Sequence, residues 1–78
     1  MAPKLGILAG SGDLPARLID AVRAAGRDVF VIAFESDTPP VLVDGVPHAW
    51  VRLGAVSAVI KALRGASVGE VVLAGGMR

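Results

Sequence analysis

Residues 5–15, Leu-Gly-Ile-Leu-Ala-Gly-Ser-Gly-Asp-Leu-Pro, set an apolar run, a glycine-spaced turn and a proline-started helix in immediate succession. Few folds accept that order. It describes the strand–turn–helix unit of an α/β sheet. The run Lys4 to Ala9 is apolar almost throughout instead of alternating, which calls for cover on both faces, as in a parallel sheet. A tight turn before a helix also aims several unpaired backbone N–H groups at one point, an arrangement suited to a phosphate or another anion.

The remaining elements follow from periodicity and punctuation. A helix is predicted from Leu14 to Ala25, with Leu14, Leu18, Val22 and Ala25 on one face and Arg17, Asp20, Arg23 and Ala24 mostly on the other. Asp13 can cap it, Pro15 fits its first turn and Gly26 can end it. Asp28 to Phe34 reads as a second strand rich in β-branched and aromatic residues. Residues 35–47 hold acidic groups, the Pro39-Pro40 pair, Gly45 and Pro47, and read as a loop in which Val41 to Val43 can form one short extended piece. His48 to Leu53 alternates, with Ala49, Val51 and Leu53 opposite His48, Trp50 and Arg52, the pattern of a strand near a sheet edge. Ala55 to Arg64 forms a second helix with Val56, Val59, Ile60 and Leu63 as its stripe and Gly65 as its stop. Glu70 to Ala74 reads as a buried strand entering the turn Gly75-Gly76. Strands alternating with helices predict a Rossmann-like parallel α/β sheet in the order 3-2-1-4, with two helices and right-handed crossovers. Strands 1 and 4 are then neighbours at the point where the order reverses. A crevice opens there between Gly10-Ser11-Gly12 and Gly75-Gly76.

Composition narrows the function. Seventy-eight residues make one domain at most, and the absence of cysteine excludes disulfides and thiolate metal sites. The net charge is +1 with no basic stripe, and Phe30, Phe34 and Trp50 are the only aromatics, which argues against a nucleic-acid partner. No apolar run approaches the roughly 20 residues of a membrane span, and no secretory signal opens the chain. A cytoplasmic setting is expected. Hydrophobic residues reach 54%, which fits either a tight parallel sheet or apolar surface covered by another domain or subunit. Because a strand such as Glu70 to Ala74 normally leads into another helix, residues 1–78 read as the first part of a longer protein, or the visible part of one.

Gly10, Ser11 and Gly12 are the leading ligand-facing candidates, although a tight turn can use glycine for its dihedral angles alone. A dinucleotide fingerprint wants a third glycine at position 15, where Pro15 stands. Glu35, ending strand 2, stands where a ribose-binding carboxylate would lie, and also where a solvated loop residue would. Asp13 can face a ligand or metal, or simply cap the helix. Asp37 and Asp44 read as loop solvation. His48 and Trp50 share one strand face; the histidine reads as packing or a surface partner, with a ligand contact as the lesser alternative and no second metal ligand at useful spacing. Arg78 would sit at the crevice mouth and could pair with a phosphate. No nucleophile–base pair, paired carboxylates or metal cluster can be assembled, so the chain reads as a binding half of a site.

The segment Lys4 to Pro15 resembles the start of the UDP-2,3-diacylglucosamine pyrophosphatases of the LpxI type. The similarity continues through Ala25-Gly26-Arg27, Val29 to Ile32, Leu53-Gly54, Ile60 to Arg64 and Val71 to Gly76, with Arg78 nearby. The resemblance implies the N-terminal domain of a lipid A biosynthetic hydrolase that yields UMP and 2,3-diacylglucosamine 1-phosphate (lipid X). It implies assistance by Mg2+ or another divalent metal, and a C-terminal catalytic domain beyond residue 78 with the ligand between the two domains. Gly10, Ser11, Gly12, Gly75, Gly76 and Arg78 carry over as substrate-facing positions, and the catalytic residues do not fall on this chain. Membrane contact would be peripheral at most, and homodimer pairing stays open. The alternative is a nucleotide- or dinucleotide-binding module without hydrolytic chemistry.

Overall fold

A computed structural model describes residues 4–10, 12–52 and 54–75. Strand β1 (Leu5–Ala9) leads into helix α1 (Leu14–Ala24), and strand β2 (Val29–Phe34) follows. A single 3-10 turn (Pro40–Val43) precedes strand β3 (His48–Val51), helix α2 (Val56–Gly65) and strand β4 (Glu70–Ala74). The sheet is four-stranded and all-parallel in the order β3-β2-β1-β4, as the alternation of elements predicts. Ile7 pairs Val31 on one side and Val72 on the other, so β1 is central.

Each face of the sheet has its own apolar layer. Leu5, Ile7, Ala9, Val31 and Ala33 pack with α1 and with Val43 and Val46 from the segment after β2. Ile32, Phe34 and Val51 pack on the other face against Val59, Ala62 and Leu63 of α2. Ile7, Val31 and Ile32 are fully enclosed, and each such side chain contributes about 1.5–3 kcal/mol by leaving water.

Several details differ from the sequence reading. On α1 the buried residues are Pro15, Ile19 and Val22, with Leu18 partly covered, while Leu14 is exposed. Leu14 is the first helical residue, so Pro15, one position on, takes the inward direction that opens the 15, 19, 22 face. On α2, Val59, Ala62 and Leu63 meet the sheet, whereas Val56 and Ile60 face outward. The expected extended piece at Val41 to Val43 is the 3-10 turn, closed by Leu42 N–H donating to the Pro39 carbonyl at 3.0 Å. That curl turns Val43 into the core at 2% exposure, which an extended path through these residues does not provide for. Strand β4 is not a buried strand. Only Ala74 is enclosed, and Val71 and Leu73 are 53% and 56% exposed. β4 is an edge strand, and α2 packs over β1, β2 and β3 without reaching those two side chains.

The helices end alike. Gly26, at φ 73°, gives its N–H to the Arg23 carbonyl while Arg27 N–H reaches back to Val22, at 2.9 and 3.1 Å. This is a Schellman closure. In α2 the same two bonds run from Ser67 to Arg64 and from Val68 to Leu63, at 3.1 and 3.2 Å. Ser67, not Gly65, therefore carries the left-handed turn, at φ 57°. Lys4 Nζ donates to the Ala66 carbonyl at 2.8 Å, a cation on the electronegative helix end. Arg27 pairs with Glu70, joining the end of α1 to the start of β4. Gly6 allows α2 to sit low on β1, since a Cβ there would stand 2.8 Å from both Leu63 Cδ2 and Val68 Cγ1.

Two substitutions test this account by urea denaturation. Ser67→Gly should stabilise by about 0.5–1 kcal/mol, because glycine adopts the left-handed conformation without the Cβ penalty. Gly6→Ala should destabilise by about 1–3 kcal/mol, because the methyl group overpacks against a stiff Val68. An unchanged midpoint for Gly6→Ala would mean that α2 does not lie this close to β1.

Candidate functional site at the carboxyl ends of the strands

The glycine turn begins where β1 leaves the sheet, and its first peptide unit is held at both poles. Gly10 N–H donates to the Ala74 carbonyl at 2.7 Å, which extends the β1–β4 pairing by one bond. The carbonyl of the same peptide, on Ala9, accepts a 2.6 Å bond from the Thr38 hydroxyl. Thr38 Oγ1 in turn accepts from Phe34 N–H at 2.9 Å. Thr38 is only 4% exposed. It comes from the segment that the sequence reading treats as a solvated loop. One signal was available: Pro39 restricts Thr38 to extended angles just after the strand.

Gly12 sits at φ 92° and Gly75 at φ 89°, so both turns use a conformation that side-chain-bearing residues rarely adopt. A Cβ on Gly12 would meet nothing within 4 Å, so its glycine is required by the backbone angle alone. β1 and β4 are neighbours, as the expected crevice requires, and Gly10 and Gly75 follow their last residues. Ser11, Gly76 and Arg78, three of the six candidate ligand-facing residues, lie outside the described residues, as does Leu53.

Asp13 occupies the N-cap position of α1 but makes no side-chain capping bond. Its backbone is already helical, at φ −90° and ψ −16°, whereas a capping side chain needs extended angles. The Asp13 carboxylate instead lines a cavity of ≈ 430 Å³ beside α1, with Gly12, Asp20, Arg23, Leu42 and Asp44 among its walls. Asp44 thus faces a groove. Asp37 is partly buried, with Oδ2 enclosed and without a hydrogen-bond partner, and so departs from the expected solvated loop residue. Glu35 is exposed, and its N–H donates to the Val51 carbonyl at 3.0 Å, ending the β2–β3 pairing. On the other face an almost entirely apolar cavity of ≈ 230 Å³ lies between Leu8, Phe34, Ala55, Val56 and Val59.

His48 opens β3, at the amino end of that strand. Its Nδ1 donates to the Val46 carbonyl at 2.7 Å and its ring meets Trp50 edge to face at 6.1 Å. Both side chains are exposed, so they meet each other at the surface and not in the core. Among the described residues no group of three or more His, Asp or Glu side chains could hold a metal ion, so they offer no fit for a divalent cation. No helix among them is long and apolar enough to cross a membrane.

Residues 4–78 match the family model described as the LpxI N-terminal domain. The chain is also 40% identical over 72 residues to the UDP-2,3-diacylglucosamine pyrophosphatase LpxI of Caulobacter vibrioides. That alignment covers 92% of this chain and 25% of the relative, so the chain spans about a quarter of the relative's length.

The two ends of the turn should respond differently to mutation. Asp13→Ala should change stability by less than about 0.5 kcal/mol, since no capping bond is lost, against the ~1 kcal/mol of a capping aspartate. Gly12→Ala should cost about 1–2 kcal/mol through backbone angle alone. Thermal melts of the two variants measure both.

Proposed function

Because the chain belongs to the LpxI family, as its N-terminal domain, we propose that it is the ligand-binding part of a UDP-2,3-diacylglucosamine pyrophosphatase of lipid A biosynthesis. In this reading the full protein adds water across the pyrophosphate bond and releases UMP and 2,3-diacylglucosamine 1-phosphate. The observation that carries it is the family match over residues 4–78, which spans the whole glycine-turn region. The geometry supports it: a pyrophosphate needs fixed donors that cost no reorganisation, and the clamped peptide before Gly10 supplies a rigid starting point for them. Gly10, Ser11, Gly12, Gly75, Gly76 and Arg78 are the proposed ligand-facing residues.

Among the described residues no group of three or more His, Asp or Glu side chains could hold a metal ion. Magnesium or another divalent ion, with the catalytic carboxylates, is assigned to the part of the protein beyond residue 78. The substrate would lie between the two parts, with the acyl chains accounting for at most peripheral contact with a membrane. A cytoplasmic location and a possible homodimer belong to the same proposal. The dinucleotide alternative gains nothing from the structure. Pro15 is fully buried at the start of α1, where the fingerprint's third glycine would let helix and strand approach closely.

Expression of residues 1–78 alone and of the full-length protein separates the outcomes. The full-length protein should release UMP from UDP-2,3-diacylglucosamine in the presence of a divalent ion, followed by phosphorus NMR, and residues 1–78 should release none. Thermal stabilisation by NAD(H), with no UMP release by the longer protein, would overturn the reading in favour of a dinucleotide module.

A further inference from the structure

We propose that Thr38 is a positioning residue for the glycine turn, its hydroxyl fixing the plane of the Ala9–Gly10 peptide that leads into the turn. The inference rests on the reading of that turn as the anion-binding element. In a parallel ladder every second residue of a strand bonds its neighbour. Leu5 N–H donates to Asp28, which sets the phase. Leu5, Ile7 and Ala9 are therefore the β1 residues that bond to β2, with Phe30 and Ile32 returning their N–H groups to Leu5 and Ile7. At the end of that pairing the Thr38 hydroxyl bridges the two strands, accepting from the Phe34 N–H and donating to the Ala9 carbonyl.

Past this pair β1 has no further register with β2, yet its bond to β4 continues through Gly10 N–H and the Ala74 carbonyl. One peptide is thus pulled from both sides, its carbonyl toward β2 and its N–H toward β4. Rotation of that plane would redirect the chain that follows Gly10, and Gly12 has no side chain to resist it. Thr38 is itself well anchored. Its N–H donates to the Phe34 carbonyl at 2.9 Å, Asp37 N–H reaches the same carbonyl at 3.0 Å, and Pro39 stiffens the chain beyond. A hydroxyl is needed because the position must accept from an N–H and donate to a carbonyl, which valine of equal shape cannot do.

The test compares Thr38→Val with Thr38→Ser in the full-length protein. Two readouts are used: hydrogen exchange at the Gly10 amide, and the KM and kcat of UDP-2,3-diacylglucosamine hydrolysis. Thr38→Val should speed Gly10 exchange about tenfold and raise KM about tenfold, as expected when one buried hydrogen bond stops holding a donor array. Thr38→Ser should restore both to within about twofold, because the hydroxyl is retained. A lower melting temperature in Thr38→Val with unchanged Gly10 exchange would overturn the proposal, as would faster exchange with an unchanged KM. Equal defects in both variants would overturn it too, since the hydroxyl would not be what matters. If the wild-type protein does not hydrolyse the substrate, the functional reading fails. The clamp then stands or falls on Gly10 exchange and its rescue by serine.

Discussion

Parallel pairing of β1 with β2 on one side and β4 on the other is the constraint from which the rest of the structure follows. A central strand has no edge to spare, so both faces must be apolar, and Leu5, Ile7 and Ala9 are accordingly enclosed. Because β2 and β4 flank β1 on opposite sides, right-handed crossovers send α1 to one face and α2 to the other. The connections leaving the strand ends then diverge. The adjacency of the β1 and β4 ends, where Gly10 and Gly75 follow, is a product of strand order.

Close approach of α2 to β1 depends on Gly6 and is completed by the turn at Ser67. These features belong together, because Leu63 and Val68, the two side chains over Gly6, are also the partners of the bond that closes α2. The turn at Gly26 similarly returns the chain from α1 to β2. One turn uses glycine and the other accepts a strained serine, so equal geometry need not leave equal signatures in sequence. That is why Gly65, the more conspicuous residue, invited the wrong assignment.

Strand order and element boundaries were legible in the sequence, because they rest on signals that act over several residues. Lys4 to Ala9 could only be a strand covered on both faces, and Pro15 and Gly26 bracket α1. Which face each helix turns inward was less legible. In an eleven-residue helix such as α1, moving the stripe by one position rotates it by about 100°, and burial of Pro15 in place of Leu14 was enough to do so. The segment from Glu35 to Pro47 was the least legible. Its prolines and aspartates signal solvent, yet Val43 and Val46, three residues apart, enter the core, and Thr38 enters with its hydrogen bonds satisfied. Irregular backbone that closes a core through side-chain hydrogen bonds has no period to read. At the site the glycines were visible through their spacing, whereas the residue that clamps them was not.

A turn of this kind holds an anion weakly while open to water. Unit charges 4 Å apart attract by about 1 kcal/mol in bulk water, but by about 4 kcal/mol at an effective dielectric constant of ~20. Partial charges on amides scale down from there, yet the ratio stays the same. The described residues place positive-φ glycines, Gly12 and Gly75, after β1 and β4, and leave Val71 and Leu73 exposed along the β4 edge. Covering backbone donors at such a turn would strengthen each one several-fold without moving it. Hydrogen bonds at both poles of the Ala9–Gly10 peptide are the arrangement such donors would need, since donors that must reorganise lose what exclusion adds.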